Sequence, residues 1–127
     1  MRLVQGTHRW TVTFDDILDA DVLILVGTNI TETNPITGLK VKEAVKKRRA
    51  TLITIESLEP VVDTMSNIAN LSHHHFRIPT SDTHHAIVGL VKAVLEQKLT
   101  QPDLAQRHPT YFNAMTSALQ QISWQEL

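Results

Sequence analysis

Val22-Leu23-Ile24-Leu25-Val26 runs directly into Gly27-Thr28-Asn29, and Glu32, Pro35 and a helix-like segment follow at once. Five consecutive apolar residues, rich in Val and Ile, predict a strand buried on both faces. A Gly at the end of such a strand lets the main chain turn sharply and lets a ligand approach the backbone. In open α/β sheets small molecules bind at the carboxyl ends of strands, where the chain turns into a helix. The end of this strand is therefore the first candidate site.

Outward from it the hydrophobic period changes. From Pro35, residues Ile36, Leu39, Val41, Ala44 and Val45 sit mostly on one side of a helix, with Lys40, Lys42, Glu43, Lys46 and Lys47 elsewhere. Pro35 suits a first helical turn and Lys46-Lys47-Arg48-Arg49 a last one. Leu52-Ile53-Thr54-Ile55 predicts a second strand ending in Glu56. Strand, helix, strand implies a parallel pair with a right-handed crossover. Upstream, Thr13 before Asp15 and Asp16 marks a helix start, with a short helical turn to Ala20. Trp10-Thr11-Val12-Thr13-Phe14 alternates like a short strand. Downstream the sequence predicts a short helix over Pro60 to Met65 and a poorer strand at Phe76-Arg77-Ile78, ended by Pro79. Thr80 or Ser81 caps a helix whose stripe is Ile87, Leu90, Val91, Val94 and Leu95. Pro102 starts a short segment. Pro109 opens a last helix with Phe112, Met115, Leu119 and Ile122 on one face. The expectation is a three-layer, Rossmann-like α/β domain: a small, mostly parallel sheet flanked by helices. One domain over 1–127 is expected, with its core at about 14–97 and C-terminal helices at 101–122.

Composition narrows the function. The chain has 127 residues, which suits one domain with a real core. A net charge of −1 lacks the basic excess of nucleic-acid binders, so no nucleic-acid partner is expected. No apolar run reaches the roughly 18 residues of a membrane span, so no direct membrane insertion is expected. Met1 to Gly6 lacks the apolar core of a signal peptide. The sequence has no Cys, which excludes a disulfide, a thiolate metal site and an iron–sulfur cluster within it. A cytoplasmic origin fits.

Three places carry candidate chemistry. Gly27-Thr28-Asn29-Ile30-Thr31-Glu32-Thr33-Asn34-Pro35 is neither a Walker loop nor Gly-x-Gly-x-x-Gly. It is rich in hydroxyl and amide groups, and the free N–H groups of the next helix point toward it, which suits a phosphate or ribose. The same run also reads as a plain strand-to-helix turn closed by local capping bonds. Glu56 ends the second strand, where dinucleotide folds use an acid to accept ribose hydroxyls; it also reads as a solvated charge. Asp82, just before a strong helix, can cap that helix or receive the ring N–H groups of a guanine. His73-His74-His75 with His84 and His85 raises a metal reading. Successive strand residues point to opposite faces, so the triplet cannot converge on one ion, and no metal site is expected. No Ser sits in a strained elbow, and no catalytic residue is assigned.

The run from Asp15 through Val22–Val26 to Gly27-Thr28-Asn29, Glu32 and Pro35 resembles the molybdopterin oxidoreductase family. That family includes formate dehydrogenases, nitrate reductases and the G subunit of NADH-quinone oxidoreductase, the last being the most similar. Its pattern is a strand ending in Gly-x-Asn, a Glu three residues on, a Pro three beyond, a Lys/Arg-rich helix and a strand ending in an acid. Leu39 to Glu56 follows that outline, and Pro79-Thr80-Ser81-Asp82 is similar to the family's Pro-Gly-Thr-Asp. The likeness covers roughly Phe14 to Gln97. It implies a domain that cradles part of a molybdopterin guanine dinucleotide. Gly27, Thr28, Asn29 and Glu32 would lie at the nucleotide turn, Glu56 at the ribose and Asp82 at the guanine. It also implies an excised piece of a longer, cytoplasmic redox subunit of a membrane-bound complex. Its partners would be the other domains of that chain and the other subunits, and alone it would not transfer electrons.

Two departures bear on the cofactor. Glu56-Ser57-Leu58 stands where the family has Asp-Pro-Arg, and Thr80 stands where it has Gly. Both add bulk at positions of close approach. Many G subunits resemble this state, keeping the fold without the molybdenum cofactor. Two other classes compete: a free-standing nucleotide-binding module and a His-dependent metal-binding protein.

Overall fold

The computed structural model describes residues 12–58, 68–101 and 103–127. They form two compact units, one within 8–83 and one over 84–127. The first carries a three-stranded parallel sheet with helices and is an α/β structure. Its elements are α1 (Phe14–Leu18), β1 (Val22–Val26), α2 (Ile30–Thr33), α3 (Pro35–Arg48), β2 (Thr51–Ser57) and β3 (His74–Ile78), with 3-10 turns at Ala69–Leu71 and Thr80–Asp82. Strand order is β1-β2-β3, with Leu23 opposite Leu52, Val26 opposite Ile55 and Thr54 opposite His75.

Local chemistry sets the element ends. The Thr13 hydroxyl accepts from the Asp16 N–H, while the Asp16 carboxylate accepts from the Thr13 N–H. This reciprocal cap starts α1 at Phe14. It also holds the Asp16 carboxyl below its usual range, chiefly through the Thr13 backbone bond. The strand expected over Trp10 to Phe14 is therefore absent from its described part, Val12–Phe14; Trp10 and Thr11 lie outside the described residues. Asn34 caps α3 by accepting from the Thr37 N–H, and Pro35 fills the first turn. Gly38 of α3 lies where a Cβ would stand 3.3 Å from the Ile30 carbonyl oxygen and from Thr31. That contact lets α2 press directly onto α3.

α3 ends at Arg49 in a left-handed conformation, φ 62°, with its N–H on the Ala44 carbonyl. A side chain is unfavourable there and glycine is not. Arg49 is exposed, so Arg49→Gly is expected to raise stability by about 0.5 kcal/mol, read as a higher thermal midpoint.

Most of the core lies on the Leu52 face of the sheet, with Ile55 buried on the other. Val41, Leu52 and Ile68 are buried together, with Ile17, Leu23, Leu25, Ile30, Val45 and Leu71 against them. Leu18, Ala44 and Ala50 continue it. Two expectations fail here. Ile36 and Leu39 are 61% and 65% exposed, because the face of α3 that packs is set by Gly38, Val41, Ala44 and Val45. β1 is not buried on both faces. Leu23 and Leu25 point to the core, while Val22 and Ile24 on the other face are about half exposed, at 53% and 48%. Among the described residues β1 is an edge strand, so its continuous apolar run reports composition rather than enclosure.

β3 is longer than its apolar residues indicate. His74 and His75, ahead of the strand expected at Phe76-Arg77-Ile78, pair with Ile53 and Thr54 as strand residues. Parallel pairing uses backbone groups and accepts polar side chains wherever a strand edge is offered. The helix expected at Pro60 to Met65 lies outside the described residues.

The second unit comprises α4 (Thr83–Glu96, from His84 on), α5 (Leu104–Arg107) and α6 (Pro109–Gln120). α4 and α6 fall where the sequence places helices, and the α6 stripe of Phe112, Met115, Leu119 and Ile122 is buried or half-buried. On α4, however, Ile87, Leu90 and Val94 of the expected stripe are exposed and Lys92 is buried instead. Pro102 lies outside the described residues. Among the described residues no helix is long and apolar enough to cross a membrane.

Candidate functional site

Parallel strands put their carboxyl ends at one edge, and the backbone ties those ends together. The Gly27 N–H donates to the Ile55 carbonyl at 2.9 Å, and the Leu58 N–H donates to the Ile78 carbonyl at 2.8 Å. Ser57 and Thr80 hydroxyls meet at 2.6 Å. Gly27 and the Thr80–Asp82 turn therefore follow the ends of β1 and β3, and Glu56 is the penultimate residue of β2 between them.

Gly27 has φ 61°, a conformation that favours glycine, and beyond its chain neighbours no atom lies within 4 Å of the place its Cβ would take. The main chain is open to approach there. Beyond it the turn is more ordered than its sequence indicates. Ile30–Thr33 is one helical turn, so Glu32 sits on an exposed helix rather than in a loop. The Asn29 carbonyl accepts from the Glu32 and Thr33 N–H groups, and Asn29 Oδ1 accepts from the Thr31 hydroxyl at 2.7 Å. Thr28 and Thr33 hydroxyls are 3.3 Å apart. Local capping thus uses the oxygens of Asn29, leaving its carboxamide N–H groups. The α3 terminus expected to face the loop is capped by Asn34 instead. Asp82 is exposed and accepts from the Ser81 hydroxyl at 2.9 Å.

A polar chain not anticipated from the sequence lies on the core face of β2 and β3. Thr54, only 1% exposed, donates to the Ser72 hydroxyl at 3.1 Å, and Ser72 donates to the Ala69 carbonyl. With its one proton committed, the Thr54 oxygen accepts from His75 Nδ1 at 2.8 Å. That order assigns the Nδ1–H tautomer to the neutral ring and leaves Nε2 bare. Nε2 faces Glu56 Oε2 across 3.9 Å. Arg77, opposite Glu56 in the register, makes no ion pair among the described residues. His73 is occupied differently, accepting the Leu52 N–H on Nδ1 at 3.1 Å. The signal in the sequence was Thr54 itself, a hydroxyl inside an apolar strand.

No protein-family model matches the chain, and no curated protein matches it. The likeness to molybdopterin oxidoreductases rests on the residues quoted above. Among the described residues no group of three or more His, Asp or Glu side chains could hold a metal ion.

The second unit has its own cavity of about 90 Å3, lined by Lys92, Leu95, Glu96, Thr116, Leu119 and Gln120. Lys92, 6% exposed, donates to the Leu119 carbonyl and to Glu96, each at 3.0 Å, and lies 5.6 Å from the Trp124 ring centre. These bonds serve packing of the unit, since every polar group of Lys92 is directed at a protein partner.

Proposed function

We infer that the sheet-bearing unit is a nucleotide cradle and scaffold within a larger redox subunit, holding the guanosine end of a molybdopterin guanine dinucleotide. The observation that carries this reading is the shared carboxyl edge, where an approachable glycine turn and Asp82 follow the ends of β1 and β3 and Glu56 stands at the end of β2 between them. The open space over Gly27 fits a group that comes close to the backbone. Glu56 would accept ribose hydroxyls and Asp82 the ring N–H groups of guanine. The bound cofactor would supply redox chemistry at its molybdenum end, and these residues only bind and orient.

Calorimetry with guanosine diphosphate tests the cradle. Heat of binding at millimolar ligand or below is expected, with Asp82→Ala weakening it about tenfold, the value of one hydrogen bond to a charged group. His74→Ala, on the opposite sheet face, is expected to leave it unchanged. Equal losses for both variants would overturn the guanine assignment, and no heat at all would leave the scaffold role alone.

A further inference from the structure

We propose that His75 is a second acceptor for the ribose, so that Glu56 and His75 together read a vicinal diol. This rests on the nucleotide reading above and adds to it a residue that reading does not use. Three observations support it. The Ala69–Ser72–Thr54 chain fixes the ring so that its bare nitrogen, not its N–H, is presented. That nitrogen and Glu56 Oε2 are 3.9 Å apart, too far to bond each other and both without a donor in the described residues. Both side chains remain reachable, His75 at 30% and Glu56 at 26% exposed.

Two neighbouring acceptors with no donor between them call for a ligand that brings two donors on adjacent atoms. A vicinal diol does so, one hydroxyl to the carboxylate and one to Nε2. The buried end of the chain gives the arrangement its rigidity. Thr54 cannot turn away without leaving its own buried hydroxyl unpaired in the core. A ring fixed in advance costs little ordering on binding.

The test compares guanosine diphosphate with its 2′,3′-dideoxy analogue by calorimetry on the protein and on His75→Leu and His75→Gln. The dideoxy ligand is expected to bind about tenfold more weakly to the unaltered protein. His75→Leu is expected to weaken the diol ligand about tenfold and to leave the dideoxy ligand unchanged. His75→Gln, which can still donate to Thr54 and accept from a hydroxyl, is expected to recover part of the difference. The comparison of ligands on the unaltered protein needs no variant, so a misfolded variant does not shield the proposal. Equal affinity for the two ligands overturns the diol assignment while the cradle survives. Failure of both ligands to bind overturns the cradle and the diol assignment together.

Discussion

Leu52→Ala is expected to lower the stability of the sheet-bearing unit by about 3 kcal/mol, the usual cost of truncating a fully buried leucine. Leu52 has no exposed surface and sits on the central strand, between Leu23 of β1 and the α3 residue Val41. Ladder bonds on both sides of β2 hold the backbone in place, so the hole cannot close by shifting the strand. The transfer loss and the cavity cost therefore add. Urea unfolding followed by circular dichroism reads the effect as a lower midpoint with an unchanged slope. Leu39→Ala is the control. Leu39 is 65% exposed, and a change within about 0.5 kcal/mol is expected. Comparable losses at the two sites would place the core of α3 on the wrong stripe.

Lys92→Ala is expected to cost the helical unit about 2 kcal/mol, the range for a hydrogen bond from a charged donor. The ammonium sits at the carboxyl end of α6, where a cation is favoured. It bonds the Leu119 carbonyl at 3.0 Å, an oxygen that also accepts from the Gln121 N–H and, at 3.3 Å, from the Ile122 N–H. Removing the lysine takes the charged donor from that carbonyl and leaves a void beside Leu95. Lys92→Met keeps the stem and is expected to lose less. A pH dependence accompanies the charge. The Glu96 carboxyl is held below its usual value first by the Lys92 hydrogen bond and further by the Trp124 N–H. A depressed carboxyl stabilises the folded state above its unfolded pKa of 4.5, and that contribution is lost as pH falls through the lower folded value. Thermal melts of this unit are therefore expected to fall in acid, and to fall less in Lys92→Met.

Much of the first unit was legible because its chemistry is local. Val22–Val26, the helix opening at Pro35 and the strand ending near Glu56 are written in a period that shifts from strand to helix and back. The Thr13 cap is equally local. What stayed hidden depends on contacts between distant residues. Glu56 and His75 meet only because β2 and β3 pair in one particular register, and no short stretch of sequence specifies that. The strand character of His74 and His75 comes from the edge that β2 offers, not from their own preference. Exposure of Ile36 and Leu39 follows from the direction in which α3 packs, which Gly38 sets by admitting α2. The turn after β1 read as open loop because its one helical turn has no apolar stripe; the Asn29 carbonyl alone starts it. Lys92 was invisible for a similar reason, since its carbonyl partner lies on another helix.

The bare side of β1 has a cost in handling. Among the described residues its outer row of N–H and C=O groups pairs with nothing, and Val22 and Ile24 lie half open beside it. Such a margin is an invitation to stack, chain upon chain, whenever solutions are concentrated or refolding is slow. Association of one copy with another along this short ribbon is therefore expected to draw on yield.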